Sequence, residues 1–210
     1  MWKYKHEWER MSERVGYWVD MDHPYITYDD NYIESVWWML KTVFDKGLIY
    51  KGFKIVPYCP RCGTALSSHE VAQGYKDVKE RSCIAKFKRV GAEGYFLAWT
   101  TTPWTLPSNV ALCMNPDEEY AEIKSGGEVY VLAKALVPTH FEEYEILSVK
   151  TGKEYEYASY EPLFDCYNGK QKAFYVTCDN YVTLTDGTGV VHIAPPFGED
   201  DANVGRKYNL

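Results

Sequence analysis

Three consecutive hydroxyls, Thr100, Thr101 and Thr102, stand in the stretch WTTTPWTLPSN (99–109), directly after the apolar run Tyr95-Phe96-Leu97-Ala98. Each threonine hydroxyl can donate and accept a hydrogen bond, and Pro103 and Pro107 hold the backbone out of regular pairing. The stretch predicts a binding loop and not a core strand, suited to a hydroxyl-rich substrate and a positioned water. Asn109, after Pro107-Ser108, reads as a turn former. Further along, GTGVVHIAPPFGEDD (187–201) sets His192 on an apolar strand and places carboxylates at a helix start after the Pro195-Pro196 break. A lone histidine between apolar neighbours is as a rule a packed core residue, and carboxylates at a helix start are as a rule caps. Asp186-Gly187-Thr188-Gly189 precedes a strand instead of following one and opening a helix, which predicts a hairpin turn and not a phosphate loop.

Cys59-Pro60-Arg61-Cys62-Gly63 has the spacing that lets two thiolates approach one zinc ion. A structural zinc takes four ligands, and no other cysteine pair repeats the spacing. The pair is therefore half a site, with His69 one candidate for a third ligand, and it reads equally as a reduced knuckle. A redox role is the weaker reading, because no βαβ context of the thioredoxin kind surrounds the pair.

These groups need elements to position them. Ile33, Val36, Trp37, Leu40, Val43 and Phe44 recur at three- and four-residue spacing, predicting an amphipathic helix over 31–46 with Asp29 or Asp30 as cap and Gly47 as stop. Residues 7–14 predict another. From residue 48 the pattern changes to short β-like runs, LIYKGFKIVPY, CIAKFKRV, YFLAW, EVYVLA, YEILSV, AFYVTC and GVVHIA, punctuated by Gly, Pro, Asn and Asp. Short helices are expected at 134–141 and 200–207. The fold class is α+β and β-rich.

The chain has 210 residues, 46% hydrophobic and 16% aromatic, enough to bury a substantial core. Its apolar runs are too short to span a bilayer, and the start, MWKYKHEWER, lacks the apolar stretch of a signal peptide, so no membrane association and a cytoplasmic location are expected. Six cysteines in such a chain do not form a disulfide scaffold. The net charge of -7 argues against a general nucleic-acid coat, because phosphate affinity comes from Lys and Arg, and confines any nucleic-acid contact to one end or loop.

Taken together, YCPRCGTALSSHE, VAQGYKDV, WTTTPWTLPSN and GTGVVHIAPPFGEDD, in this order and spacing, resemble the editing domain of isoleucyl-tRNA synthetases over nearly the whole chain. The related valyl and leucyl enzymes typically carry an arginine where this chain has Thr102; that departure, with Trp104 and Asn109, favours the isoleucine family. The stretch GYWVDMDHPYITYDDNYIESVWWMLKTVFDKGLIYKGFKIV is similar to the segment that leads from the first half of that family's catalytic domain into its inserted domain. The resemblance implies a β-barrel-like editing domain over 81–210 with short peripheral helices. It further implies a connector over 48–80 with half of a zinc-ribbon site, and a helical linking segment over 1–47. No sequence like HIGH or KMSKS occurs, so no aminoacylation site is expected in this chain, which is read as a fragment of the longer synthetase.

The resemblance also implies a chemistry: hydrolysis of misacylated Val-tRNA(Ile) after transfer, by a water placed at the aminoacyl ester. Thr100, Thr101 and Thr102 would contact the terminal adenosine and position that water. Asp201 would hold the substrate's α-ammonium, Trp104 would form pocket wall and Asn109 would hold the loop or substrate. His192 and Ala194 would line the amino-acid pocket, with the histidine limiting its size. The partners implied are the aminoacylated 3′ end of tRNA(Ile) and the rest of the synthetase. Editing would need no cofactor; Cys59 and Cys62 would be two ligands of a zinc site completed beyond Leu210. The competing reading is a noncatalytic zinc-ribbon or RNA-end binding module.

Overall fold

A computed structural model describes residues 4–210; residues 1–3, which open both the MWKYKHEWER stretch and the segment expected over 1–47, lie outside the described residues. The chain divides into two compact units, Met1–Phe53 and Lys54–Leu210.

In the first unit, α1 spans Lys5–Arg14, with Lys5 and Glu9 paired one turn apart at 3.0 Å. Helix α2 spans Asp30–Asp45, starts after Asp29 and stops at Gly47, whose φ of +69° suits a residue without a Cβ. The aromatic face read from its spacing is exposed: Trp37, Trp38 and Phe44 are open to solvent, and neither helix has a buried residue.

The run expected as a strand from residue 48 is irregular, across both the end of the first unit and the start of the second. No ladder forms before β1 (Tyr58–Cys59), which pairs with β2 (Thr64–Ala65) around the cysteine knuckle. Gly52 and Pro57 interrupt the run, and a strand is stable only where a neighbour takes its hydrogen bonds. Helix α3, Ser68–Ala72, follows with a capping box between Ser67 and Glu70.

The remaining strands are β3 (Cys83–Lys88), β4 (Tyr95–Thr100), β5 (Ala111–Met114), β6 (Glu119–Ser125), β7 (Glu128–Ala133), β8 (Glu145–Thr151), β9 (Tyr175–Cys178) and β10 (Val190–Ile193). They form a five-stranded sheet of order β3-β4-β7-β6-β8 and a three-stranded sheet of order β10-β5-β9. The pairs β4–β7 and β5–β9 are parallel and the others antiparallel. Neither sheet closes on itself among the described residues, so the β-rich class holds while the barrel stays open. Short helices fill the edges: α4 (Val137–His140) after a 3₁₀ turn at Lys134–Leu136, α5 (Gly152–Tyr155) and α6 (Glu199–Tyr208).

Strand periodicity explains why YFLA reads as an unbroken apolar run. Alternate side chains of β4 face opposite ways, and both faces are buried: Phe96 and Ala98 join Leu112, Met114, Val131 and Val176 in a core shared by the two sheets. Leu97 joins Ile123, Leu132 and Val137 in a second core. The end of β4 and the end of β10 are thus anchored in packed structure, and the candidate site hangs on those two ends.

Candidate functional site

Trp99 and Thr100 are the last residues of β4, so the first part of the expected loop is strand. Thr100 is 6% exposed and its hydroxyl accepts from the Thr102 amide at 3.0 Å, turning the chain out of the sheet. Pro103 then starts a 3₁₀ turn through Ser108, its fixed φ suiting the first position. Within this turn Thr105, which the sequence reading passed over, becomes the hub. Its hydroxyl donates to the Thr102 carbonyl at 2.8 Å and lies 3.0 Å from His192 Nε2, 87 residues away in sequence.

A hydroxyl has one proton, and here the Thr102 carbonyl takes it; His192 Nε2 must therefore carry the hydrogen of the second bond. Nδ1 is left deprotonated, buried and without a partner among the described residues. Burial also lowers the His192 pKa below its usual value, so the ring is neutral near pH 7. His192 is both a packed residue and a wall of the cavity.

The other side of the cavity comes from the segment after β10. Pro195–Phe197 forms a 3₁₀ turn, and Gly198 precedes α6. Asp201 lies in the first turn of α6, where a carboxylate is favoured by the unpaired amides of a helix start. Its side chain folds back so that Oδ2 accepts from the Ala194 amide at 3.0 Å. The fold-back is close: a Cβ on Gly198 would lie 3.2 Å from the Asp201 Cγ. Burial raises the Asp201 pKa, the Ala194 amide opposes that and Asp200 adds to it.

These pieces enclose a cavity of about 390 Å³. Thr100, Thr101, Thr102, Trp104, His192 and Asp201 all line it, so six residues singled out from two distant stretches of sequence are brought together. Trp99, Thr105, Val191, Phe197 and Gly198 complete the lining. Trp104 is 72% exposed and stands at the rim. The chemical content is a file of hydroxyls on one side, a carboxylate opposite, and a neutral imidazole beside apolar walls.

Two of the expected residues are elsewhere. Ala194 is fully buried and does not line this cavity; its backbone amide holds Asp201 instead. Asn109 is buried with its amide committed: Nδ2 donates to the Ala111 carbonyl at 2.8 Å and Oδ1 accepts from Tyr160 at 2.6 Å. It fastens the end of the threonine turn to the core.

Cys59 and Cys62 lie in the β1–β2 hairpin, where the Cys62 amide donates to Cys59 Sγ at 3.4 Å. That bond lowers the Cys59 thiol pKa, and the Cys59 sulfur raises that of Cys62. Among the described residues no group of three or more His, Cys, Asp or Glu side chains could hold a metal ion, and His69 instead contacts Gln73. No described helix is long and apolar enough to cross a membrane.

The sequence matches a family model described as tRNA synthetases class I (I, L, M and V) over residues 1–186. It is 59% identical over 211 residues to an isoleucine–tRNA ligase of Clostridium acetobutylicum, a match spanning all of this chain and 20% of that protein. It is 46% identical to an isoleucine–tRNA ligase of Picrophilus torridus, over all of this chain and 21% of the relative. Among solved structures, the cytosolic leucyl-tRNA synthetase editing domain of P. falciparum superposes with a TM-score of 0.43 at 18% identity, covering 55% of this chain and 50% of the other. The chain spans about one fifth of the length of the curated relatives it matches.

Proposed function

The chain belongs to the class I tRNA synthetases of the isoleucine, leucine, methionine and valine group, and from that premise we propose that its second unit is a proofreading domain that hydrolyses misacylated Val-tRNA(Ile). The observation that carries the proposal is the convergence of Thr100, Thr101, Thr102 and Asp201 on one cavity from stretches about a hundred residues apart. One methylene separates isoleucine from valine, worth only about 1–3 kcal/mol in a pocket; the handling of this pair by two successive sieves is the standard illustration of the problem. A second cavity that admits the smaller ester and hydrolyses it multiplies the discrimination.

An aminoacyl ester is already activated, so the protein has to place a water and stabilise the oxyanion that forms when the water adds to the carbonyl. The threonine hydroxyls can do both, because each donates one bond and accepts others. As the tetrahedral intermediate collapses, the ribose oxygen leaves with a proton and the amino acid is freed. Asp201, ionised when an ammonium approaches, anchors the substrate's α-amino group through a charge-assisted bond of about 1.5–3 kcal/mol. His192, being neutral, does not repel that ammonium; its role is to bound the side-chain pocket.

The terminal adenosine of the tRNA supplies the rest of the substrate, and the remainder of the longer synthetase would hold the tRNA body. Cys59 and Cys62 amount to half of a tetrahedral zinc set, whose other ligands would come from outside the described residues.

The test is deacylation of Val-tRNA(Ile) by this chain, by Asp201→Ala and by Thr102→Ala, with Ile-tRNA(Ile) as the control. Loss of at least tenfold in either variant is expected, with little action on the isoleucyl ester. Equal activity in all three proteins would overturn the assignment.

A further inference from the structure

The threonine turn is a strap with two fixings. At its start Thr100 still belongs to β4 and to the packed sheet. At its end the chain leaves the 3₁₀ turn at Ser108, passes through Asn109 and enters β5 at Ala111. The Asn109 amide donates to the Leu106 carbonyl at 3.0 Å and so closes the turn, and the Val110 amide donates to the Ile193 carbonyl at 3.0 Å. The place taken by Asn109 therefore decides where the turn ends.

Two bonds hold the Asn109 side chain, and they differ in reach. Nδ2 donates to the Ala111 carbonyl two residues on, a bond that travels with the strap. Oδ1 accepts from the Tyr160 hydroxyl at 2.6 Å, across 51 residues of sequence. Tyr160 is itself held on every side. It is 2% exposed, its ring stands edge-on to Phe87 at 5.1 Å and to Phe174 at 6.0 Å, and its backbone amide donates to the Phe174 carbonyl at 3.0 Å. Burial drives its phenol well above the usual range, against the pull of the Asn109 bond, so the hydroxyl keeps its proton and stays a donor. Asn109 is 6% exposed, so an Oδ1 that loses Tyr160 has little water to turn to, and the strap must shift or carry an unpaired acceptor.

Tyr160 does not line the threonine cavity and cannot touch a substrate there. The carboxylate on the opposite side is fixed separately, Asp201 being held by the Ala194 amide. A change at Tyr160 thus moves the hydroxyl side of the cavity and leaves the ammonium anchor where it is.

We infer that Tyr160 is a positioning residue for the hydrolysis: through Asn109 it sets the end of the threonine turn, and with it the hydroxyls that place the water. The inference rests on the assignment of the cavity to an aminoacyl ester. A displacement on the order of 1 Å in a group that orients a reactant can cost on the order of a hundredfold in rate. The loss belongs in kcat, because the water and the oxyanion are held in the transition state while the amino group is bound throughout.

The experiment measures deacylation of Val-tRNA(Ile) at varied substrate concentration by this chain, by Tyr160→Phe, by Asn109→Ala and by the double variant, at a temperature where circular dichroism shows each to be folded. Tyr160→Phe keeps the ring in the core and removes only the hydroxyl. It is expected to lower kcat at least about tenfold with KM within about twofold of the parent. Asn109→Ala cuts the same link from the other side and is expected to lose kcat in the same way, and adding Tyr160→Phe to it is expected to cost nothing further. An unchanged kcat with a lowered Tm, the behaviour of a residue that only stabilises the core, would overturn the inference. So would a rise in KM that accounts for the whole loss, or a further fall in the double variant. Failure of both single variants to fold would make the bond a requirement of the core and overturn it as well. Absence of hydrolysis by the parent chain would instead overturn the reading of the cavity, and this inference with it.

Discussion

Asp201 works against the stability of the fold it serves. Its carboxyl pKa is raised above 3.8, chiefly by burial, so the folded chain favours the protonated form. The stability this group contributes is full below about pH 3.8 and is lost as pH rises through the elevated folded value. At neutral pH the ionised carboxylate is a net cost. Asp201→Asn, whose amide oxygen can still accept from Ala194, is expected to raise Tm by about 2–4 °C per kcal/mol recovered, and to lower deacylation at least about tenfold by removing the ammonium partner. Thermal unfolding at pH 7 checks the first half; an unchanged or lower Tm would contradict it. Thr105→Val tests the hub of the turn. It leaves the Thr102 carbonyl with the Thr105 backbone amide as its donor and His192 with both nitrogens unpartnered, so a loss of about 1–3 kcal/mol is expected in urea denaturation, with Thr105→Ser close to the parent chain. Equal stability of Val and Ser would show that the hydroxyl bonds hold nothing.

At the scale of elements, the support of the cavity depends on backbone geometry as much as on side chains. Gly187, at φ +72°, approaches the Trp99 ring so closely that a Cβ would lie 2.9 Å from it, and its carbonyl meets His140 Nε2 at 2.6 Å. Gly187→Ala is expected to cost at least about 1–2 kcal/mol from the left-handed backbone alone, and to shift tryptophan fluorescence as Trp99 moves. A melting curve that overlays the parent would refute this. The same glycine shows where sequence reading stops. The stretch Asp186–Gly189 does turn, but β9 and β10 do not pair with each other; both flank β5, so no hairpin forms. Helices over 31–46 and 200–207 were legible because periodicity and caps are local, and they appear at Asp30–Asp45 and Glu199–Tyr208. β5, the short apolar run ALCM, carries no alternation because it is buried on both faces, and its parallel partner lies 64 residues on. The hydroxyls and Asp201 were legible through motifs. Thr105 was not, since only the fold brings His192 within 3.0 Å of it.

For the whole molecule, the two units differ in kind. Residues 54–210 own all the buried core, whereas residues 4–53 contain no buried side chain and expose Trp18, Trp37, Trp38 and Phe53. Apolar exposure of that extent contributes no core of its own to residues 4–53. Expressed alone, 54–210 is expected to melt cooperatively and 4–53 to show no transition; calorimetry of the two pieces decides it, and a cooperative melt for 4–53 would refute it. The charge of -7 leads to a second expectation: weak binding of whole tRNA by this chain, falling further with salt. Nanomolar affinity that persists at high salt in filter binding would contradict it.

The bond between Thr105 and His192 spans 87 residues. Contacts of such sequence separation form late, because a long loop must close before they are gained. During synthesis the threonine turn therefore leaves the ribosome well before β10 and α6 exist to oppose it. A nascent chain halted anywhere before Asp201 displays the hydroxyls without the carboxylate, so the cavity that joins Thr100, Thr101 and Thr102 to Asp201 forms only once α6 has begun.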